Sequence, residues 1–147
     1  MTTKETPVMV EETFQYGTKD LWEAITNIDK MKLWYFENIP DFKPVVGFKT
    51  EFNVTSEDRN FLHQWEITEV QPLKKITYKW HFKNYQGDAL VHFELFSKNK
   101  VTLLRVTNKV IADFSDDIPE FKRESCLGGW NYFIKEQLKN YIEKTTK

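Results

Sequence analysis

Apolar residues first fall on alternate positions. Val8, Val10, Phe14 and Tyr16, with Glu12 in the same parity, predict a strand that stops at Gly17. The spacing then lengthens to that of a helix. Leu21, Trp22, Ile25 and Ile28 recur at helical intervals after Thr18, a residue type suited to an N-cap, and Asn27 with Asp29 marks a break and a second cap before Met31, Leu33 and Trp34. Two short helices are therefore expected after the first strand.

Beyond Pro40 and Pro44 the period returns to two. Phe48, Thr50 and Phe52 share a face, and a polar turn over Ser56–Asn60 leads to Phe61, His63, Trp65 and Ile67. Pro72 ends that run. Ile76, Tyr78, Trp80 and Phe82 then alternate with Lys75, Thr77, Lys79 and His81, the cleanest amphipathic strand in the chain. Turns at Asn84–Asp88 and at Asn99 introduce Val91, Phe93, Leu95 and then Thr102, Leu104, Val106, Asn108. Connections this short imply an antiparallel meander.

From Pro119 the helical period resumes. Phe121 opens it, and Trp130, Phe133, Ile134, Gln137, Leu138, Tyr141 and Ile142 make one stripe. From Cys126 to Lys144 such a helix is about 28 Å long at 1.5 Å per residue, enough to cross a sheet. Asp113, Asp116, Asp117, Glu120 and Glu124 gather at its start and Lys135, Lys139 and Lys144 toward its end, the distribution a helix dipole favours. The expected fold is α+β: a curved antiparallel sheet of six or seven strands wrapped around a long C-terminal helix, in a single domain over residues 1–147.

Charge narrows the partners. Against 21 basic residues stand 22 acidic ones, a net charge of -1, so there is no surplus to follow a phosphate backbone or an anionic membrane, and nucleic acid is not an expected partner. No apolar run approaches the length of a bilayer span, and Met1–Val10 lacks a signal-peptide core, so membrane insertion and secretion are not expected either. Cys126, the only cysteine, excludes an internal disulfide and fits a reducing, cytoplasmic compartment. Aromatic residues make up 16 % of the chain, more than a surface needs, so most must line an interior.

The segment Thr18 to Ile25, then Trp34, Tyr35 and Phe36, Val46 and Gly47, Tyr78 to Trp80, Val91 to Leu95, and Gly129 with Trp130 form an ordered set. In this order they resemble the activator-of-HSP-90-ATPase homologue family. That family lies within the START-like helix-grip superfamily, whose members fold an antiparallel sheet around a C-terminal helix and often bind apolar ligands. The chain departs from the family pattern at Thr18, where proline is common, and at Asn108, where a basic or aromatic residue is common. The resemblance implies the helix-grip fold. It carries chaperone activation only as an alternative, because the chaperone-binding domain that precedes this one in the family's co-chaperones has no counterpart before the first strand.

Strand parity turns Phe52, His63, Trp65, Tyr78, Trp80 and Phe93 toward the helix. The helix returns Trp130, Phe133 and Gln137 toward them, and Trp34 covers one end. These ten residues are expected to line a pocket of a few hundred cubic ångströms for an apolar or amphipathic small molecule, oriented by Gln137, His63 and Tyr78. The competing expectation is a filled core. Gly128 and Gly129, each costing about 1 kcal/mol against alanine inside a helix, mark room at the pocket mouth, a close approach of the helix to a strand, or a break where the regular helix begins.

Other chemistry is thinly supported. His81, His92 and Glu94 would make a zinc site on the outer sheet face if the hairpin register paired His81 with His92; ordinary exposed residues are the preferred reading. Glu12 has inward parity, and a place at a strand irregularity or pairing with a lysine is preferred to a buried general acid. No nucleophile motif, phosphate loop or dinucleotide fingerprint appears, so no cofactor is expected and no catalytic residue is assigned. Small-molecule binding leads; a protein-interaction module and an enzyme of cyclase or hydrolase type on an apolar substrate are the alternatives, and a homodimer stays open.

Overall fold

Strands form where apolar residues alternate and helices where they recur every third or fourth position, as the computed structural model, which describes residues 1–145, shows. In chain order these are β1 (Val8–Phe14), α1 (Thr18–Thr26), α2 (Ile28–Trp34), β2 (Lys49–Ser56), β3 (Arg59–Gln71), β4 (Lys75–Phe82), β5 (Asp88–Lys98) and β6 (Val101–Ala112). A 3-10 turn at Pro119–Phe121 precedes the C-terminal helix, residues 123–145. Phe121 therefore lies before that helix rather than opening it.

All six strands form one antiparallel sheet in the order β1-β6-β5-β4-β3-β2. Consecutive strands β2 to β6 make a meander, and β1 returns to the far edge beside β6, so the sheet joins the two ends of the chain. Register shifts at Ile67/Glu69 in β3 and at Asp88/Ala89 in β5 bend it. The turn into β5 depends on Gly87, whose φ of +115° suits glycine alone; a Cβ there would stand 2.4 Å from the Phe114 ring.

Caps follow the sequence in part. Asn27 caps α2 by accepting from the Lys30 amide (3.2 Å), whereas α1 begins at Thr18 itself, with Gly17 in the capping position and no side-chain bond. The C-terminal helix is α-helical over Arg123–Trp130, π-helical over Asn131–Leu138 and α-helical again over Lys139–Thr145. Its buried residues Trp130, Ile134, Leu138 and Ile142 are spaced strictly by four. On a pure α-helix that spacing drifts by about 40° per step. The wider π turn takes up the drift and keeps all four against the sheet.

Lysines on the same helix secure the sheet edge. Lys135 Nζ donates to the Glu11 carbonyl (2.9 Å) and Lys139 Nζ to the Thr13 carbonyl (2.7 Å), occupying backbone acceptors on the outer side of β1. Two apolar clusters result. The larger packs β1 to β6, α1, α2 and the helix around Trp34, Trp65, Tyr78 and Phe93; the smaller gathers Phe61, Ala89, Phe114 and Phe121 at the end of the sheet where the helix begins.

Candidate functional site

Helix α2 ends by driving two rings into the space between sheet and C-terminal helix. Tyr35 is stacked on Trp34 at 4.6 Å and reaches Trp65 (5.4 Å), Phe133 (5.0 Å) and Trp130 (6.1 Å). Its hydroxyl meets that of Tyr78 at 2.9 Å, and burial pushes both phenols well above their ordinary pKa. Phe36 continues the wedge against Phe52 (5.1 Å), His63 (5.2 Å) and Phe133 (4.9 Å).

This wedge fills most of the space that strand parity alone leaves open. Trp34, Phe52, Trp65, Tyr78 and Phe93 are buried in the packed core, and the Trp34 indole donates to the Ala24 carbonyl (2.7 Å). His63 is buried with them. Its Nδ1 donates to the Phe61 carbonyl (3.0 Å), and burial lowers its pKa to about 4, so it is neutral near neutral pH. Gln137 is half-buried on the helix and lies away from the remaining space.

What remains is a cavity of about 140 Å³ beside the first turns of the C-terminal helix. This is smaller than the few hundred cubic ångströms anticipated, because Tyr35 and Phe36 take the rest. Of the ten residues singled out from the sequence, Trp80, Trp130 and Phe133 line it. Trp80 and Phe93 each approach Trp130 edge-on at 5.7 Å, with the void on the Trp80 side. Phe36, Phe82, Phe114 and Phe121 complete the aromatic wall, and Met1 closes it, its amino group donating to the Phe121 carbonyl (2.9 Å).

Sequence reasoning stopped short of these closing residues. Phe82 and Asn108 had the inward parity that would have revealed them, whereas Phe114 lies outside any regular period and Phe121, expected to open the helix, sits in the 3-10 turn before it. Gly129 also lines the cavity, and a Cβ on Gly128 or Gly129 would meet nothing within 4 Å. Neither glycine permits a close approach to a strand, and both lie within the α-helical turns.

Few polar groups reach the wall. Both Glu120 oxygens are taken, one by Arg59 Nε (2.9 Å) and the other by Arg59 Nη2 (2.9 Å) and Ser56 Oγ (2.7 Å), and chiefly the Arg59 bonds hold its carboxyl down to about 2. Burial pushes the Cys126 thiol up to about 11, so it stays protonated. Ser125 is exposed at the mouth, and the Asn108 carboxamide faces inward from β6.

Elsewhere the candidate groups are engaged in ordinary pairs. His81 sits opposite Asp88 and pairs with it (2.8 Å), while His92 sits opposite Thr77 and shares a hydrogen bond with its hydroxyl (2.8 Å). The hairpin register thus separates His81 from His92, which removes the geometry that the zinc site required. Among the described residues no three His, Cys, Asp or Glu side chains converge on a metal position. Glu12 lies 3.5 Å from Lys139 Nζ and accepts from the Thr13 amide (2.9 Å).

A larger depression, about 740 Å³, lies on the outer sheet face, lined by Lys49, Glu51, Glu66 and Lys79 together with His81 and Asp88. It is open to solvent. Its charges alternate in sign and partly neutralise one another, so it lacks the apolar wall of a small-molecule site. Among the described residues no helix is long and apolar enough to cross a membrane.

Comparison with known proteins agrees with this architecture. A family model described as "Activator of Hsp90 ATPase homolog 1-like protein" matches residues 16–143. Protein MLL2253 from Mesorhizobium loti is 25% identical over 95% of this chain and 98% of its own, with a TM-score of 0.74. The Aha1 dimer from Colwellia psychrerythraea is 18% identical, covering 95% of this chain and 97% of its own, with a TM-score of 0.72. DynU16, from the dynemicin biosynthetic locus, is 21% identical over 97% of this chain with a TM-score of 0.75; the match spans only 49% of DynU16. No curated protein matches the sequence.

Proposed function

This chain belongs to the Activator of Hsp90 ATPase homolog 1-like family, and from that premise we propose that it binds a small apolar or amphipathic molecule between the sheet and the start of the C-terminal helix. The observation that carries this reading is an aromatic-walled space left unfilled in an otherwise tightly packed interior. The rings around this space, which opens at its mouth, forgo contacts that a filling group would make. A bound molecule restores them.

Binding is favoured over catalysis by the state of the titratable groups. Glu120 is locked to Arg59 and Ser56, and Cys126 is held as a thiol, so neither is poised to exchange protons with a ligand near neutral pH. The Gly129 backbone at the wall keeps room that any side chain would take. Native mass spectrometry of the protein taken directly from cell extract, with thermal-shift screening of lipids and aromatic compounds, tests the proposal. A retained small molecule or a saturable stabilisation is expected. Bare polypeptide together with no shift across the library would overturn it.

A further inference from the structure

We infer that the ligand is a single aromatic ring bearing one hydrogen-bonding substituent, seated among the cavity's rings with its polar group on the Asn108 carboxamide. This rests on the ligand-binding reading above and adds to it a size and an anchor.

Size follows from volume. Drug-sized ligands occupy sites of roughly 300 Å³ or more, whereas an apolar cavity of about 150 Å³ accepts one benzene. At about 140 Å³ the space here fits one ring, and a second ring or a long acyl chain would have to project through the open mouth into water or displace the Tyr35–Phe36 wedge. Shape points to a flat occupant. Trp80 and Trp130 meet at 76° and Phe36 and Trp80 at 65°, while Phe82 and Phe121 stack at 19°, so faces and edges are both presented to an inserted ring.

The anchor follows from elimination among polar neighbours. Asn108 stands on β6 opposite Val8 on one side and Val91 on the other, in the inward parity of Leu104 and Val106, and is only 5% exposed. A carboxamide there offers both donors and an acceptor. Among the described residues its side chain has no hydrogen-bond partner, although it lines the cavity. The carboxamide atoms are not sealed from solvent, since among the described residues the one fully buried side-chain polar atom without a partner is Trp65 Nε1, and valine or leucine would suit an apolar wall better. Glu120 is fully engaged, the Met1 amino group donates to the Phe121 carbonyl, the Cys126 sulfur accepts from the Trp130 indole N–H, and Ser125 sits at the solvent edge. Asn108 is therefore the group available to a phenol, aniline or aromatic amide.

Calorimetric titration of the full chain with phenol, benzene, 1-naphthol and decanoate tests both parts, using wild-type protein and Asn108→Leu. Phenol should bind about tenfold more tightly than benzene, the worth of one hydrogen bond, and in Asn108→Leu the two should bind alike. Should the variant misfold, the side-chain amide signals of Asn108 in 15N-labelled wild-type protein decide the point, since they must move as phenol saturates. Equal binding of phenol and benzene, an advantage that survives in Asn108→Leu, or unmoved amide signals would overturn the anchor and leave the cavity reading standing. Tighter binding of 1-naphthol or decanoate would overturn the size. Failure of every probe to bind would count against both this inference and the ligand-binding reading.

Discussion

Tyr35 shows how one residue sets the size of the site. Its position at the end of α2 sends the ring into the core, and among the described residues its hydroxyl is satisfied by Tyr78 alone (2.9 Å). Tyr35→Phe should strand the Tyr78 hydroxyl and lower stability by about 1–3 kcal/mol, whereas the double change to phenylalanine should cost less than the two single changes added together. Urea unfolding of the three variants checks this. His63 makes a separate prediction in pH. Its pKa is about 4 when folded against 6.5 otherwise, so the unfolded chain takes up the proton first. The stability it contributes is complete above pH 6.5 and falls away as pH drops toward 4, by roughly 3 kcal/mol in all. Unfolding of wild type and His63→Gln at pH 7 and pH 4.5 should show a steeper loss in wild type. The Glu120 carboxylate, held at about 2, loses its contribution in the same direction below the ordinary carboxylate range in both proteins. At this scale the sequence was legible only by parity: it turned Trp80 and Phe93 inward, but it could not show that Tyr35 and Phe36, two residues past a helix, would occupy the space between them.

Elements were more readable than residues because their periods are long enough to average over exceptions. The alternation of Ile76, Tyr78, Trp80 and Phe82 with charged neighbours specified β4, and the stripe from Trp130 to Ile142 specified a helix. Its π segment was not legible, since the strict four-residue spacing of its buried positions differs little from a helical pattern by eye. Strand register was equally hidden. His81 faces Asp88 rather than His92 because the turn from Lys83 to Gly87 and the bulge at Asp88/Ala89 together set the pairing, and parity says nothing of either. The glycine pair belongs to this scale. Alanine at Gly128 or Gly129 should stabilise the helix by up to about 1 kcal/mol, since the added methyl meets nothing within 4 Å. Only Gly129 lines the cavity, so Gly129→Ala should also weaken benzene binding severalfold while Gly128→Ala leaves it unchanged. Thermal denaturation and calorimetry of the two variants separate these effects.

Across the whole molecule, two layers of aromatic residues meet along most of their length and part at one end. Where Tyr35 intervenes, the interior is closed; beside Phe114, Phe121 and the first helical turns it is not. The sheet-and-helix layering could be read from the order of elements and the helix-grip fold from the family resemblance, while the location of the opening depended on the wedge after α2 and on the loop between β6 and the helix. The account stands on that opening admitting a guest. Its tryptophans report on it separately, because Trp80 and Trp130 border the cavity whereas Trp34 and Trp65 are packed away from it and Trp22 lies on α1. Titrating 15N-labelled protein with benzene and following the five indole N–H signals is therefore the most direct measurement: saturable shifts at Trp80 and Trp130, with the other three still, are predicted, and no saturable shift at either would contradict the account.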